Sequence, residues 1–586
     1  MLIITIGLLL AVLSNFIMAG AYLGFLRPEV HIAALVGLFL AALPVTAILS
    51  KVLANAAKES LAATVFILLF LAANLLLCFT PPIARDELNH HLAFPKLMLQ
   101  QGAFVHHPHA AYSFYPMLLQ MFFIPVLWLG EDHMAKVIHY FFGVMTGLLI
   151  YFYAQKRAGA KPALFAFLIF LSVPVVQKLM HTAYVDLALM FYSTAALLLL
   201  LHWGDDQRSR YLFLAGAASG FALCSKPNGL IVAALLFVAL IILAKKRCAS
   251  LSGVSKAALQ FAFMNILCIA PWYLKNYAAA GNPFYPLFTS YFGSTIELGA
   301  YERPQTKFTE FQQRELIYGE SPLEIMLVPL RVFITGQDAN PRLFDGSLSA
   351  LLLLFIPWAL LSKVNRDKRY ILFFTLGYFI IAFFSSATRA RYLAPAAPGL
   401  AILAAFGIEE LRKRARAVQI TLGTLGMAAM AHHLYYAANN LSKLDPIGLI
   451  SGEVSRENYL ARQLPYYSLL SSIPKSLASS ERVYLAFAGK QIYYIEQNFH
   501  IDELEYPDLL IEVIRTTKNP AEIHEQLKKH GISSILMRAS LLSRYFNDNL
   551  SEDERVRWNG FLKGFTLLLG QSKDYALYQL NEREGG

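Results

Sequence analysis

Two adjacent carboxylates, Asp86 and Glu87, lie in the stretch Pro-Pro-Ile-Ala-Arg-Asp-Glu-Leu-Asn-His-His, which we term the acidic loop (81–91). The loop follows an apolar run, residues 61–79, that is long enough to cross a bilayer. Because carboxylates are costly to hold next to hydrocarbon, an acidic pair at the mouth of a membrane helix predicts a functional site. The neutral imidazoles of the two histidines that end the loop could bind a divalent metal beside it. A solvated acidic loop is the simpler alternative.

The composition is that of a membrane protein. Of 586 residues, 56% are hydrophobic and only 15% are charged, with a mean hydropathy of +0.47. A soluble globular chain carries about 25% charged residues. Apolar stretches that approach the roughly 20 residues of a spanning helix recur along the chain. The sequence predicts a polytopic α-helical protein with about thirteen spans, at 2–24, 31–50, 61–79, 136–154, 162–178, 184–202, 211–224, 228–244, 257–274, 347–361, 370–385, 392–408 and 418–434.

The distribution of Lys and Arg predicts the orientation of these spans. With a cytoplasmic N-terminus, the inside loops hold nineteen basic residues and the short outside turns hold five. Since cytoplasmic loops are enriched in Lys and Arg, this asymmetry favours that topology. It places the acidic loop and the C-terminal tail on the external face. The net charge of +11 then reflects topology and anionic lipid headgroups rather than nucleic-acid binding.

Two long external loops and a soluble tail complete the predicted organisation. The membrane part, 1–436, carries external loops at 80–135 and 275–346, and the second is long for a structureless connection. The composition then changes, and 437–586 is predicted to be an external α/β domain. Within this domain the sequence predicts a helix at 519–531 and strands at 482–487, 532–537 and 575–580.

Five short motifs occur in order along the chain. They are Asp-Glu after an early span, Ala-Tyr-Val-Asp-Leu-Ala-Leu (183–189), Ser-Lys-Pro-Asn-Gly-Leu (225–230), Gly-Asn-Pro-Phe-Tyr-Pro (281–286) and Arg-Tyr-Leu-Ala-Pro (391–395). Each motif is weak alone, but the order and the shared membrane side make the set specific. Through these motifs, residues 60–435 resemble the GT-C class of membrane glycosyltransferases. Within that class the chain is similar to the bacterial lipid A aminoarabinose transferase and the protein O-mannosyltransferases.

The resemblance implies an enzyme of the bacterial inner membrane whose active site and C-terminal domain face the periplasm. It also implies an inverting transfer of a sugar from a polyprenyl-phosphate donor to a glycan, lipid or protein acceptor. An acceptor hydroxyl that attacks the anomeric carbon needs a carboxylate base, and Asp86 matches the catalytic position of the family. Glu87 would orient the site or contact the donor. Asp186 matches a second acidic position that could bind the acceptor or position the base.

The leaving group of such a donor is a lipid phosphate, whose charge must be stabilised where little water reaches. Basic side chains and phenols suit this task, and Arg can add bidentate contacts. The candidates for binding the donor phosphate are Arg391, Lys226, Tyr115 and Lys275. The alternative for Arg391 is an interfacial side chain that reaches the lipid headgroups.

A histidine cluster bears on whether the site needs a metal. His106, His107 and His109 follow His90 and His91 in the same predicted loop. Some GT-C enzymes use a metal and others do not, and the chain has no strict ligand spacing such as His-Glu-x-x-His. We therefore expect no cofactor and histidines that contact the acceptor or the membrane interface. A divalent metal at His90 and His91 is the alternative.

Two other functional classes fit a polytopic protein that handles lipid-linked sugars. A secondary transporter would show inverted repeats and spans broken by Gly or Pro at matched positions, and the sequence has no visible symmetry of this kind. An O-antigen ligase or polymerase would rely on Arg and His in a late, large loop rather than on an early Asp-Glu pair. A lipid-linked-sugar transporter and a ligase-like enzyme are therefore the alternatives to a transferase.

Reporter fusions test the predicted topology. A fusion at Lys246, in a predicted cytoplasmic loop, and a fusion at Leu580, in the predicted external tail, should report opposite sides of the membrane. The reason is the 19-to-5 bias of basic residues between the two sides. Alkaline phosphatase and fluorescent-protein fusions measure this directly. Finding both positions on one side would overturn the topology.

Overall fold

In a computed structural model, the chain combines a helical bundle with a C-terminal sheet that helices cover. This confirms the predicted combination of a polytopic helical part and a C-terminal α/β domain. His107 and His109 of the predicted histidine cluster lie outside the described residues. The structure describes residues 1–106, 111–248, 250–296, 309–361, 364–385, 387–473, 481–489, 491–502 and 507–581.

Across the described residues, nine helices are long and apolar enough to cross a membrane. The count becomes ten if Ala160–Ser172 and Pro174–Met180, which meet at 68°, form one bent span. Each of the thirteen predicted spans lies on a helix. That all thirteen cross the membrane stays a prediction. The nine are Leu2–Tyr22, Pro28–Glu59, Leu61–Cys78, Met134–Ala158, Asp186–Asp206, Gly229–Arg247, Leu251–Ala280, Arg366–Ser385 and Ala390–Leu411.

The other helices of the membrane part do not meet this test. Three of them coincide with predicted spans, namely Ser209–Ser225, Ala350–Leu361 and Arg416–Leu444. The last continues past the domain boundary predicted at 436. The predicted external loops contain short helices, which are Glu87–His91, Ala93–Gln101, Ala111–Phe114, Gln120–Phe122, Phe123–Trp128, Thr289–Phe292, Glu310–Leu316, Pro322–Met326, Val328–Ile334 and Pro341–Leu343.

Helix Asp186–Asp206 is the centre of the bundle, since 94% of its apolar window is buried. It packs against Ser209–Ser225, which packs in turn against Leu251–Ala280. Small residues allow this second contact, because a Cβ added at Gly216 would lie 2.3 Å from the Phe261 carbonyl oxygen. Close approach through small residues is a common way for membrane helices to associate. This packing fixes the C-terminal end of Ser209–Ser225, which is followed by the predicted site residue Lys226.

The two ends of this central helix carry different polar clusters. Its first residue, Asp186, belongs to the predicted site. Near its other end, Asp205 binds Arg366 at 2.6 Å and Arg157 at 2.9 Å. At about 1.5 Å per residue, the two carboxylates are roughly 29 Å apart, close to the hydrocarbon thickness of a bilayer. The predicted site and these basic residues, both predicted to be cytoplasmic, thus lie at opposite ends of the bundle.

The C-terminal domain is built on five strands, which are β1 (Arg482–Ala486), β2 (Phe499–His500), β3 (Ile532–Arg538), β4 (Thr566–Ser572) and β5 (Tyr575–Leu580). The sheet order is β2-β1-β3-β5-β4, with β1 parallel to both neighbours and β5 antiparallel to both of its own. The strands predicted from sequence correspond to β1, β3 and β5, whereas β2 and β4 were not predicted. The helices are Pro446–Ile450, Arg456–Gln463, Tyr467–Leu470, Asp508–Thr516, Pro520–Lys529, Ala539–Asn549 and Glu552–Phe565.

Residues of the C-terminal domain hold the acidic loop in place. The backbone N–H of Tyr493 donates to the Leu88 carbonyl at 3.2 Å, and the Tyr494 hydroxyl donates to the Pro82 carbonyl at 2.8 Å. The Tyr493 hydroxyl also donates to the buried carboxylate of Asp132 at 3.1 Å. The tail is therefore fastened directly to the loop that carries the acidic pair.

Replacing Gly216 by Leu tests the close helix contact. The added side chain would meet backbone that cannot easily move aside, so we expect a loss of about 1–3 kcal/mol in stability, as in other overpacked cores. Thermal unfolding of the detergent-purified protein, followed by size-exclusion fluorescence, measures the loss. Gly423→Leu is the matched control, because no described atom outside its own helix backbone lies within 4 Å of the added Cβ. Equal unfolding temperatures for the two variants would contradict this packing.

Candidate active site

The acidic loop contains a π-helix, Glu87–His91. Such turns are rare and are frequent at functional sites. Glu87 is fully buried, and its Oε2 accepts the backbone N–H groups of Ile83 at 2.9 Å and Ala84 at 2.8 Å. Its Oε1 accepts the N–H of Ala183 at 2.5 Å. This carboxylate therefore fastens the acidic loop to the segment before the central helix, which fits the orienting role expected for it.

The other carboxylate of the loop, Asp86, binds Arg391. Its Oδ2 lies 2.5 Å from Arg391 Nη2, and the two side chains are 22% and 12% exposed. Arg391 stands at the start of helix Ala390–Leu411. Its guanidinium carbon lies 5.1 Å from the ring centre of Tyr184 and 5.0 Å from that of Tyr392. Because Arg391 is turned into the protein and against two aromatic rings, the interfacial alternative does not describe it.

A second ion pair joins Lys226 to Asp186. Lys226 Nζ lies 2.6 Å from Asp186 Oδ1, and the Asp186 side chain is 1% exposed. Asp186 is the first residue of the central helix, where the positive end of the helix dipole favours a carboxylate. Lys226 follows Ser209–Ser225 with extended backbone (φ −163°, ψ 145°), because a residue before proline, here Pro227, avoids the helical region. The Lys-Pro sequence thus ends the helix at the point where the lysine meets Asp186.

Tyr392 connects the two ion pairs. Lys226 Nζ lies 5.0 Å from the centre of the ring that Arg391 also contacts. Asp86, Arg391, Asp186 and Lys226 therefore form one cluster, which we term the charge quartet. Its two carboxylates and two cations carry no net charge, and this balance allows four ionised groups to share a mostly buried site. The structure thus brings together four of the residues predicted from sequence.

Several polar atoms at the quartet lack a hydrogen-bond partner within the described part of the chain. They are Asp186 Oδ2, Arg391 Nε and, beside the quartet, His90 Nδ1. Buried polar atoms are nearly always hydrogen-bonded in folded proteins. The site therefore has spare hydrogen-bonding capacity that a polar ligand could use.

Burial and neighbouring charges set the protonation of the acidic loop. Burial raises the pKa of the Asp86 carboxyl, but the charge and hydrogen bond of Arg391, together with the charge of Lys226, outweigh burial, and the pKa falls to about 2. Burial also lowers the pKa of His90 to about 4, so this imidazole is neutral at pH 7. The pKa of Glu87 is raised, mainly by burial. Asp86 is thus ionised, and it is a weak base while Arg391 holds it.

His90 and His91 do not form a metal site with the acidic pair in this geometry. Their rings lie 4.1 Å apart, but His90 stacks on Tyr112 at 4.6 Å, and His91 Nδ1 lies 3.1 Å from Gln120 Nε2. Among the residues with described positions, no three His, Cys, Asp or Glu side chains are grouped as a metal site requires. Protein metal sites typically have at least three such ligands. Among the described residues, a metal at His90 and His91 would lack a third such ligand, and metal dependence stays a prediction.

Two predicted phosphate-binding residues, Tyr115 and Lys275, are not members of the quartet. The ring of Tyr115 is 5.9 Å from that of Tyr112, which is stacked on the acidic loop. Lys275 is buried, donates to the Phe114 carbonyl at 3.3 Å and lies 4.6 Å from the ring centre of Phe104. Tyr115 thus reaches the acidic loop through Tyr112, and a contact with the donor stays a prediction for both residues.

Sequence reasoning gave no role to three residues that shape the site, namely Tyr184, Tyr392 and His139. Tyr184 lies in the motif at 183–189 and Tyr392 in the motif at 391–395, so their position beside the site residues could have pointed to them. The imidazole of His139 accepts the Leu187 N–H at Nε2 (2.9 Å) and donates from Nδ1 to the Thr182 carbonyl (2.7 Å). His139 thereby holds the start of the central helix, and no spacing in the sequence predicts this contact.

Known proteins match this chain in part of its sequence and in most of its fold. Residues 121–274, which include Asp186 and Lys226, match the family model of dolichyl-phosphate-mannose-protein mannosyltransferase. The crystal structure of ArnT from Cupriavidus metallidurans in the apo state has a TM-score of 0.53 and 16% sequence identity, over 88% of this chain and 98% of ArnT. The chain has a GT-C fold.

A second structure supports the same fold. ArnT from Cupriavidus metallidurans bound to undecaprenyl phosphate has a TM-score of 0.52 and 15% identity, over 89% of this chain and 99% of ArnT. No curated protein sequence matches the chain. The GT-C fold class predicted from the motifs is therefore confirmed, and nearly the whole length of ArnT has a counterpart here.

The pairing of Asp86 with Arg391 predicts a pH effect. Arg391→Gln removes the charge that lowers the pKa of Asp86, so burial should raise this pKa. Any activity that needs ionised Asp86 is then lost as the pH falls through the raised pKa. We expect kcat/KM of the variant to decline in acid where the wild type stays level, between about pH 4 and pH 7. Parallel pH profiles for the two proteins would contradict the assignment.

Proposed function

We propose that the protein is an inverting glycosyltransferase. It would move a sugar from a polyprenyl-phosphate donor to a hydroxyl of a glycan, lipid or protein. The charge quartet is the observation that carries this proposal, because it pairs two carboxylates with two cations at one end of a GT-C bundle. The family model matched by residues 121–274 and the ArnT complex with undecaprenyl phosphate are consistent with it.

Arg391 and Lys226 would bind the phosphate of the donor. In the structure each cation is neutralised by a carboxylate, at 2.5 Å and 2.6 Å. A phosphate oxygen would replace those carboxylate contacts, and Arg can receive two phosphate oxygens at once. Both cations would then stabilise the charge that grows on the phosphate as it leaves. Tyr115 and Lys275 would contact the same donor at a greater distance from Arg391 and Lys226.

Asp86 would act as the base. Once the phosphate takes Arg391 away from it, the carboxylate is released from the charge that lowers its pKa and becomes a stronger base. It would take the proton of the acceptor hydroxyl while the hydroxyl oxygen bonds to the anomeric carbon. The bond from that carbon to the phosphate oxygen breaks, and the phosphate keeps the electron pair. A single displacement of this kind inverts the anomeric configuration.

The remaining acidic residues would support this step. Asp186 has an oxygen, Oδ2, with no hydrogen-bond partner in the described part of the chain, and it could bind the acceptor or position the base. Glu87 would act as a positioning residue, because its two oxygens are used by three backbone N–H groups. Its substitution would therefore change the shape of the acidic loop before it changed the chemistry.

We place the reaction on the external, periplasmic face of a bacterial cytoplasmic membrane. The quartet and the Asp205 cluster are roughly 29 Å apart along one helix, which is about a bilayer core. The basic residues Arg157 and Arg366 belong to the predicted cytoplasmic end. A quartet at the other end would lie at the depth of a polyprenyl phosphate headgroup.

We further propose that the reaction needs no bound metal. The quartet supplies two cations next to the proposed phosphate site, and these can do the electrostatic work that a metal does in other transferases. The histidines of the acidic loop are engaged by Tyr112 and Gln120 instead. Turnover measured with and without EDTA should therefore be equal. A loss that an added divalent ion restores would refute this part of the proposal.

Asp86→Asn tests the catalytic assignment. The change keeps the size of the side chain but removes its basicity, so turnover should fall on the order of 10²–10⁴-fold. The assay uses the purified protein with a lipid-linked sugar donor, and thermal unfolding shows whether the fold is kept. Asp206→Asn is the matched control, since its carboxylate contacts Arg208 at the surface, at the other end of the central helix from the quartet. Wild-type turnover in Asp86→Asn would overturn the mechanism while leaving the fold assignment intact.

A further inference from the structure

A polar cleft opens between the membrane part and the C-terminal domain. It has a volume of about 420 Å³. One wall is helix Ala93–Gln101, which directly follows the acidic loop, and the other is the chain that leads into β2. Side chains from both walls line it, and amides are prominent among them, namely Gln100, Gln101, Gln497 and Asn498. We call this cavity the amide cleft.

Hydrogen bonds hold the two walls of the cleft together. Lys96 Nζ, on the first wall, donates to the carbonyls of Tyr493 at 2.7 Å and Ile495 at 3.4 Å on the second. The N–H of Tyr493 donates to the Leu88 carbonyl in the acidic loop. The cleft is therefore a preformed feature, and a ligand bound in it would not need to order its walls. It is also tied to the loop that carries the proposed base.

The lining of the amide cleft matches a ligand rich in hydroxyl groups. Each side-chain amide offers two donors and an acceptor, which suit the paired hydroxyls of a sugar. Phe499 adds an aromatic ring to the lining. The charged lining residues are of both signs, Glu496 with Arg482 and Lys96, and the lysine is already bonded to carbonyls. This balance does not favour a strongly anionic ligand.

The position of the cleft suits a part of the acceptor that does not react. The second wall begins next to Tyr493, whose N–H donates to Leu88, two residues after Asp86. The first wall continues for about 12 Å along helix Ala93–Gln101. A chain of sugars could therefore extend from the proposed base into the cleft. We propose that the amide cleft binds an uncharged oligosaccharide portion of the acceptor. This inference rests on the proposed function and names the substrate class for it.

A peptide in the same cleft is a different proposal, and the structure favours it less. A bound extended peptide usually adds a strand to a sheet edge and gains affinity from the ladder of backbone hydrogen bonds. The edge strand next to the cleft is β2, which has only two residues, Phe499 and His500. So short an edge offers few ladder bonds. The side-chain amides are the larger recognition surface.

Binding to defined oligosaccharides tests this inference without any need for transfer. The full-length protein is placed in lipid nanodiscs, because maltoside detergents would compete as sugars. Neutral hexasaccharides of glucose, galactose, mannose and N-acetylglucosamine are the probes, and saturation-transfer NMR gives the Kd for each. We expect at least one to bind the wild type. The double variant Gln101→Ala/Gln497→Ala should bind it about tenfold more weakly, because it loses hydrogen bonds from both walls.

Two controls make the result specific. Gln571→Ala removes an exposed amide from β4, at the opposite edge of the same sheet, and should leave the Kd unchanged. Asp86→Asn should also bind the probe with unchanged Kd. This control distinguishes a loss of sugar transfer from a loss of oligosaccharide binding in the cleft. The inference is overturned if no hexasaccharide binds, if the double variant binds as well as the wild type, or if an extended peptide binds the cleft in place of the sugars.

Discussion

The charge quartet is the constraint on which the rest of this structure depends. Ionised groups are expensive to bury, and they become tolerable when each has a partner of opposite sign. Here two carboxylates from different segments meet two cations from two further segments, so the pairs hold four parts of the chain in register. The Lys-Pro turn at Lys226, the helix start at Asp186 and the ring of Tyr392 all serve this arrangement. Loss of any one member of the quartet would leave a buried charge without its partner.

The same balance suits the proposed reaction. As a sugar leaves a lipid phosphate, positive charge develops on the anomeric carbon and negative charge on the phosphate. A site with two carboxylates and two cations offers a group of opposite sign to each of these developing charges. The C-terminal domain contributes by fixing the acidic loop through Tyr493 and Tyr494. The soluble tail is therefore part of the support of the site, although none of its residues belongs to the quartet.

Much of this structure could be predicted from the sequence. The features that could not be predicted were missed for physical reasons. Hydropathy located the helices, and the motifs located Asp86, Asp186, Lys226 and Arg391. Which carboxylate meets which cation depends on helix packing, which no spacing encodes. The 68° bend at Pro174 was missed because the apolar run is continuous across it. Strand β4 was missed because it begins at Thr566 directly after helix Glu552–Phe565, with no Gly, Pro, Asn or Asp between them to mark a boundary.

The most direct test of the central claim is the affinity of the purified protein for undecaprenyl phosphate, measured by native mass spectrometry. If the two cations of the quartet bind the phosphate, Arg391→Ala and Lys226→Ala should each weaken binding by about tenfold or more. Asp86→Asn should bind at least as tightly as the wild type, because it removes the competitor for Arg391. Lys246→Ala, at the predicted cytoplasmic end, should change nothing. Unchanged affinity in both cation variants would contradict the account.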